Sequence, residues 1–262
     1  MKFENTEVWG FEHALRGMRN PKNSWNKSDS YYEYDNQRDC VTKDANFVIG
    51  ENDMKLAQSL IKAGSEHRKF MRQIFVYVDI TAPLYWWKEF DTYKVGTVAN
   101  STSTMHKLAT TPITLDCFEI DDYVKNLEWT GVPIGNCVSC YDSEHSIMRL
   151  IDMLEGLRQK YLETKDVRYW KELIRWLPES WLQKRTVTMD YENLLAICGK
   201  GQRRFHKLNE WSGQDNPNVP NFISWARTLP YAQELIFIDE INITLNLKPS
   251  SEYIITNFEK SK

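Results

Sequence analysis

The sequence has no apolar run approaching 18 residues, so it predicts no membrane-spanning helix. Its opening, Met1-Lys2-Phe3-Glu4-Asn5, lacks the apolar stretch of a secretory signal. Cysteine is sparse and odd in number, five in 262 residues, which points to free thiols in a reducing compartment. Together these features predict a cytoplasmic protein. A chain of this length buries enough surface to need no disulfide staples. Neither sign of charge dominates: 36 acidic residues stand against 33 basic ones, for a net charge of -3. That balance argues against a nucleic-acid or membrane-surface partner. No internal repeat and no low-complexity tract is visible. Cys137-Val138-Ser139-Cys140 lacks the second cysteine pair of a zinc site, and no metal is expected. The basic piece from Gly199 to Arg204 lacks the strand and the spacing of a phosphate-cradling loop.

Aromatic rings are plentiful, with ten Trp, thirteen Tyr and eleven Phe. Such rings build cores and subunit interfaces, and they also stack on flat ligands. Periodicity outlines the elements. Residues 1–46 read as an irregular polar arm or surface segment, with a short strand at Tyr31-Tyr32-Glu33-Tyr34. A helix capped by Asn52 or Asp53 presents Met54, Ala57, Leu60 and Ile61 on one face and stops at Gly64. The run from Gln73 to Ile80 is apolar at both parities, which predicts a strand buried on both faces. Pro83 opens the next helix, and Gly96 ends or bends it. Amphipathic helices follow at Ser143–Tyr161 and Asp166–Trp176, then a strand at Thr186–Met189 and a helix at Glu192–Cys198. Residues 199–220 read as an insertion loop. A helix broken near Pro230 spans Phe222–Asp239, and clean alternation predicts a late strand at Ile241–Leu247. The whole reads as one α/β (α+β) domain over residues 1–262, a single mixed sheet with flanking helices and helical insertions.

The most informative stretch runs from Glu66 to His106. A His-bearing turn, Glu66-His67 with Phe70, precedes the strand. The helix opened by Pro83 carries Lys88-Glu89 and Thr92-Tyr93-Lys94, and a hydroxyl- and amide-rich loop follows, Asn100-Ser101-Thr102-Ser103-Thr104-Met105-His106. This order places a strand end and a helix end around one pocket. The stretch resembles the flavin-dependent thymidylate synthase family, which has Glu-His-x-x-Phe before a strand, Arg-Gln-x-x-Arg-His-Arg on a proline-opened helix, and a Ser-x-Asn-Glu-x-Ser-x-Arg-Tyr loop. Here Lys88-Glu89 stands for Arg-Gln, Thr92-Tyr93-Lys94 for Arg-His-Arg, and Asn100 and Ser103 match the loop; Ser101, Met105 and His106 depart from it. Further on, Leu177-Pro178, Lys184-Arg185-Thr186 with Thr188, and Arg227 followed by Ala232-Gln233-Glu234 are collinear with the same family.

The resemblance implies reductive methylation of dUMP, with methylenetetrahydrofolate as carbon donor, FAD as hydride carrier and NADPH as hydride source. It implies a homotetramer with sites at subunit interfaces, and no cysteine nucleophile. Carried over residue by residue, Arg227 would bind and polarise the pyrimidine. Ser103, Lys184 and Arg185 would hold the phosphate, and Glu89 would face the nucleotide. His67, Thr92, Tyr93, Lys94 and Asn100 would touch FAD, and Asp190 and Glu192 stand where the family has flavin-contacting Asn and Arg. Two cationic contacts are missing, at residues 92 and 192. At about 1.5–3 kcal/mol for each charge-assisted hydrogen bond, FAD would bind roughly two to four powers of ten more weakly. Stacking by Tyr93, Trp86 or Trp87 would offset part of this loss. Two other readings stay open: flavin chemistry on another pyrimidine nucleotide, and a nucleotide-binding scaffold that has lost the flavin.

Overall fold

The computed structural model describes residues 1–33, 46–104, 108–120, 128–130, 140–199, 203–214 and 218–243. Strand β1 (Lys2–Trp9) and helix α1 (Phe11–Arg19) come first. Strands β2 (Tyr31–Glu33) and β3 (Asn46–Val48) pair antiparallel, Tyr31 opposite Val48. Helix α2 (Glu51–Ala63) leads to β4 (Phe75–Pro83), α3 (Leu84–Phe90) and β5 (Val98–Ser101). A short antiparallel pair, β6 (Glu128–Thr130) and β7 (Cys140–Asp142), precedes α4 (Ser143–Thr164) and α5 (Val167–Arg175). Then come β8 (Leu182–Asp190), α6 (Tyr191–Cys198), α7 (Asn209–Ser212), α8 (Phe222–Arg227), α9 (Ala232–Leu235) and a 3-10 turn at Ile238–Ile243. The mixed helix-and-strand class read from the sequence holds. The main sheet has four strands in the order β1-β4-β8-β5. Among the described residues no helix is long and apolar enough to cross a membrane.

Contacts gather the chain into two groups. The first holds Met1–Asn5, Val78–Lys94 and Val98–Val187. Its sheet residues Val78, Ile80, Ala82 and Val187 are buried, as are Trp86, Trp87 and Phe90 of α3. Pro83 sits at the α3 N-cap with extended backbone, as a proline-opened helix requires. The helix ends at Phe90, earlier than Gly96, because Asp91, Thr92 and Tyr93 turn back onto the carbonyls of Trp87, Glu89 and Phe90. Helices α4 and α5 bury Ile151, Leu154 and Leu173 against Leu108, Ile113 and Phe118. Their stripe at three- and four-residue spacing is the one the periodicity predicts. Asp166 caps α5 by accepting the Arg168 N–H.

The second group holds Thr6–Tyr77, Val95–Thr97 and Thr188–Lys262. Here the N-terminal reading is corrected. Residues 1–33 are no polar arm: β1 is a sheet strand and α1 is a core helix burying Phe11, Ala14, Leu15 and Met18. The charged and polar Glu12, His13 and Arg16 between those apolar positions hide the pattern from a composition count. Gly10 joins strand to helix at φ 103°, where an added Cβ would meet the Gln73 carbonyl oxygen at 2.1 Å. Helix α2 forms and stops at Gly64 as expected, but Asn52 and Asp53 do not cap it. The Asp29 carboxylate accepts their N–H groups from outside the helix. Asp53 is instead buried against Arg19 at 2.5 Å, with Ser28 and Ser30 donating to its second oxygen.

Three further expectations change. Strand β4 is not buried on both faces: Phe75 and Tyr77 are each 41% exposed, while Ile74, Val76 and Val78 are buried. An aromatic on an open sheet face satisfies the same strand propensity as a buried one. Part of the 199–220 insertion is core, since Trp211 of α7 is fully buried with its ring 5.2 Å from Phe222. Ile241–Ile243 lie in the 3-10 turn rather than a strand, and 244–247 fall outside the described residues. Tyr34, Met105, His106, Cys137–Ser139 and 200–202 also lie outside them.

Candidate functional site

In the first group the chemistry collects at the C-terminal end of α3, beside β8. Alternate residues on a strand point to opposite faces. Gln183 and Arg185 therefore point one way, and Lys184 and Thr186 the other. Lys184 is tied to Glu4 at 3.1 Å and Asp79 at 3.2 Å, and Thr186 donates to Asp79. Those carboxylates, Glu4 first, hold the Lys184 ammonium above its usual pKa. So Lys184 does not stand beside Arg185 as a pair, as adjacency in the sequence suggests.

Arg185 is largely buried and held on three sides. Its guanidinium lies 4.2 Å from the centre of the Trp87 ring, Nη1 donates to Asp91 at 2.9 Å, and Nε donates to the Gln183 amide oxygen at 3.0 Å. Trp87 donates in turn to the Gln183 carbonyl at 2.9 Å. The Gln183 amide nitrogen donates to the Thr102 carbonyl at 3.0 Å and reaches the Thr104 hydroxyl at 3.4 Å. Thr102 N–H donates to the Lys184 carbonyl at 2.9 Å, which lays the hydroxyl loop along β8. Ser103, half-buried, sits between these two threonines. The structure thus brings Arg185 and the Ser103 loop together. Glu89 is half-buried on α3, and the Thr92 hydroxyl donates back to the Glu89 carbonyl. Tyr93 is half-buried, while Lys94 and Asn100 are exposed. Trp86 and Trp87 are fully buried against each other and Phe90, so neither offers a face to a flavin.

In the second group, Glu192 accepts hydrogen bonds from Arg68 at 3.2 Å and from Arg72. Desolvation pulls its carboxyl toward the neutral form, but the two arginines outweigh it and leave the pKa below the ordinary range. Asp190 caps α6 in a reciprocal box with Asn193, and burial raises its carboxyl pKa. The Asn193 amide nitrogen donates to the Val95 carbonyl at 2.6 Å, and a Cβ on Gly96 would meet Asn193 and Asp190 at 3.0 Å. Exposed His67 directly precedes Arg68 in the turn after α2. Arg227 ends α8 with both terminal nitrogens on Glu240 at 2.9 Å and its guanidinium 4.1 Å from the Phe237 ring centre. Arg204 shares Glu240 and also binds Asp239.

The sequence reading missed Gln183, Asp91, Arg68, Arg72 and Glu240. Only Arg68 and Arg72 carried a signal, as two cations four residues apart before a strand. Ser103, Arg185, Glu89, Thr92, Tyr93, Lys94 and Asn100 fall in the first group; His67, Asp190, Glu192 and Arg227 fall in the second. Among the described residues no cluster of His, Cys, Asp and Glu could hold a metal ion. Cys198 is buried, and desolvation raises its thiol pKa far above the usual value, so it stays protonated.

No protein-family model and no curated protein matches the chain. Solved structures do match in fold. Flavin-dependent thymidylate synthase ThyX from Helicobacter pylori, complexed with FAD and dUMP, superposes with TM-score 0.56 at 15% identity, over 91% of this chain and 99% of that one. A second structure of that enzyme with FAD and dUMP gives TM-score 0.58 at 14% identity, over 91% and 98%. The UMP/dUMP methylase PolB from Streptomyces cacaoi, bound with 5-Br dUMP, gives 0.54 at 14%, over 91% and 96%. The chain therefore has the fold of flavin-dependent thymidylate synthases.

Proposed function

We propose that this protein is a flavin-dependent enzyme that methylates a pyrimidine nucleotide, converting dUMP to dTMP with methylenetetrahydrofolate and NADPH. The observation that carries the reading is the braced Arg185 beside the Ser103 loop in a chain of this fold. A guanidinium fixed by stacking and two hydrogen bonds loses little freedom when it meets a phosphate, to which it brings a charge-assisted donor. Arg185 would turn Nη2 to the phosphate, and the loop carrying Ser103 would lie beside it. Arg227 would receive the pyrimidine and polarise it, with Glu240 as the competitor it must leave. Glu89 would face the nucleotide.

The residues present fit FAD by charge. Arg68 and Arg72 converge on Glu192, with exposed His67 next to Arg68 in the chain. These two arginines would stand in for the cation absent at residue 192 and meet a diphosphate. Tyr93, Lys94 and Asn100 would add contacts, and the Asp190–Asn193 box would hold the 95–97 backbone in place. Bound FAD would supply hydride transfer to the methylene carbon, with NADPH as the source. The family's homotetramer would supply copies of each residue set.

Likeness to a UMP/dUMP methylase favours one alternative, a broader choice of pyrimidine nucleotide. The decisive test is tritium release from 5-labelled dUMP and from 5-labelled UMP, with methylenetetrahydrofolate and NADPH supplied. Release from dUMP supports the reading, release from UMP alone moves it to the alternative, and release from neither overturns both.

A further inference from the structure

We propose that Gln183 is a positioning residue for nucleotide-phosphate recognition: its carboxamide sets the guanidinium of Arg185 and the 102–104 loop at one fixed separation. The inference rests on the reading that Arg185 takes the phosphate. Gln183 is 8% exposed, so its amide cannot exchange these partners for water at little cost. Every polar atom of the residue that the structure shows engaged serves this arrangement. The side-chain oxygen accepts from Arg185 Nε at 3.0 Å, and the side-chain nitrogen donates to Thr102 at 3.0 Å and to Thr104 at 3.4 Å. The backbone carbonyl accepts from Trp87 at 2.9 Å, and that indole lies under Arg185 at 4.2 Å. One residue thus controls the edge of the guanidinium, the platform beneath it and the loop that carries Ser103.

A carboxamide suits this place for a chemical reason. It accepts from a cation and donates to a carbonyl without bringing charge of its own. A carboxylate would neutralise Arg185 and repel both the Thr102 carbonyl and an incoming phosphate. A methionine of similar volume would leave Arg185 Nε and the Thr102 carbonyl without their partner.

The test compares binding of dUMP and deoxyuridine by calorimetry, because their difference isolates the phosphate. Gln183→Met is expected to reduce the preference for dUMP about tenfold, with deoxyuridine binding unchanged. Gln183→Asn, which keeps the amide but withdraws it by one methylene, is expected to give the same loss in smaller degree and is the variant to measure if Met does not fold. In an Arg185→Ala background, Gln183→Met should have a smaller effect on that preference, since the guanidinium is gone and only the contacts to the 102–104 loop remain to be lost. An unchanged preference in both single variants would overturn the role of Gln183 while leaving the phosphate reading intact, and so would an equal loss in the Arg185→Ala background. A wild-type protein with no preference for dUMP over deoxyuridine would overturn the phosphate reading and the inference together.

Discussion

Two arginines carry the nucleotide reading, and each has an internal carboxylate as rival. Asp91, 45% exposed, holds one terminal nitrogen of Arg185. Half-exposed pairs are worth roughly 0.2–1 kcal/mol. Asp91→Asn is therefore expected to tighten dUMP binding up to about fivefold, with no effect on deoxyuridine; a weaker dUMP complex would contradict the assignment. Glu240 forks onto Arg227, which is 40% exposed. Glu240→Gln should tighten nucleotide binding by a similar factor, whereas Arg227→Ala should abolish turnover and leave the fold intact. Full turnover in Arg227→Ala removes it from the mechanism. Both arginines were singled out in the sequence by their order along the chain. Their rivals were not, because Asp91 and Glu240 lie 94 and 13 residues from the arginines they meet.

The elements divide by where their information lies. Helices α4 and α5 were readable because their apolar stripe is local and repeats with the helical period. Their attachment was not. Glu155 on α4 accepts the Ile113 N–H at 2.9 Å and two hydrogen bonds from Arg158, which itself reaches the Ala109 carbonyl at 3.1 Å. Arg158 first, with the Ile113 N–H and Gln159 adding to it, lowers the Glu155 carboxyl pKa from 4.5 to about 2, against burial, which comes second and raises it. A folded pKa below the unfolded one means stability present above pH 4.5 and lost as pH falls toward 2. After allowance for solvent screening, Glu155→Gln should cost about 1–2 kcal/mol at pH 7 and almost nothing near pH 2, measured by urea unfolding. A cost equal at both pH values would show that the charge is irrelevant. The α1–α2 contact makes a stronger demand. Asp53 and Arg19 are both buried, and Asp53→Ala leaves an uncompensated guanidinium at about 3–5 kcal/mol. Destabilisation under 1 kcal/mol in thermal unfolding would refute that role.

Across the whole molecule, fold and chemistry make joint demands. A protein of this fold whose Arg68 and Arg72 answer Glu192 should purify yellow and release FAD on denaturation. Arg72→Glu should bleach it while leaving the particle size of the parent protein unchanged by light scattering. A colourless wild-type protein that binds dUMP would support the scaffold reading. The two extra cations bear directly on the deficit counted from the sequence at residues 92 and 192. That deficit was a count of aligned positions, and charge acts through space, so residues 68 and 72 enter the balance only when the chain is folded.

By itself the sequence determined the mixed helix-and-strand class, the helix starts at Pro83 and Asp166, the stop at Gly64, and the order of motifs along the chain. Each depends on neighbours within a turn or on backbone preferences of one residue. Only the tertiary structure decided that residues 11–19 form a core helix, that one face of β4 is open, and that Lys184 and Arg185 part company. It alone showed that Gln183 braces a guanidinium against a hydroxyl loop. Those facts depend on which strand lies beside which, and side-chain burial and pairing are set by that neighbour rather than by the residue's own identity.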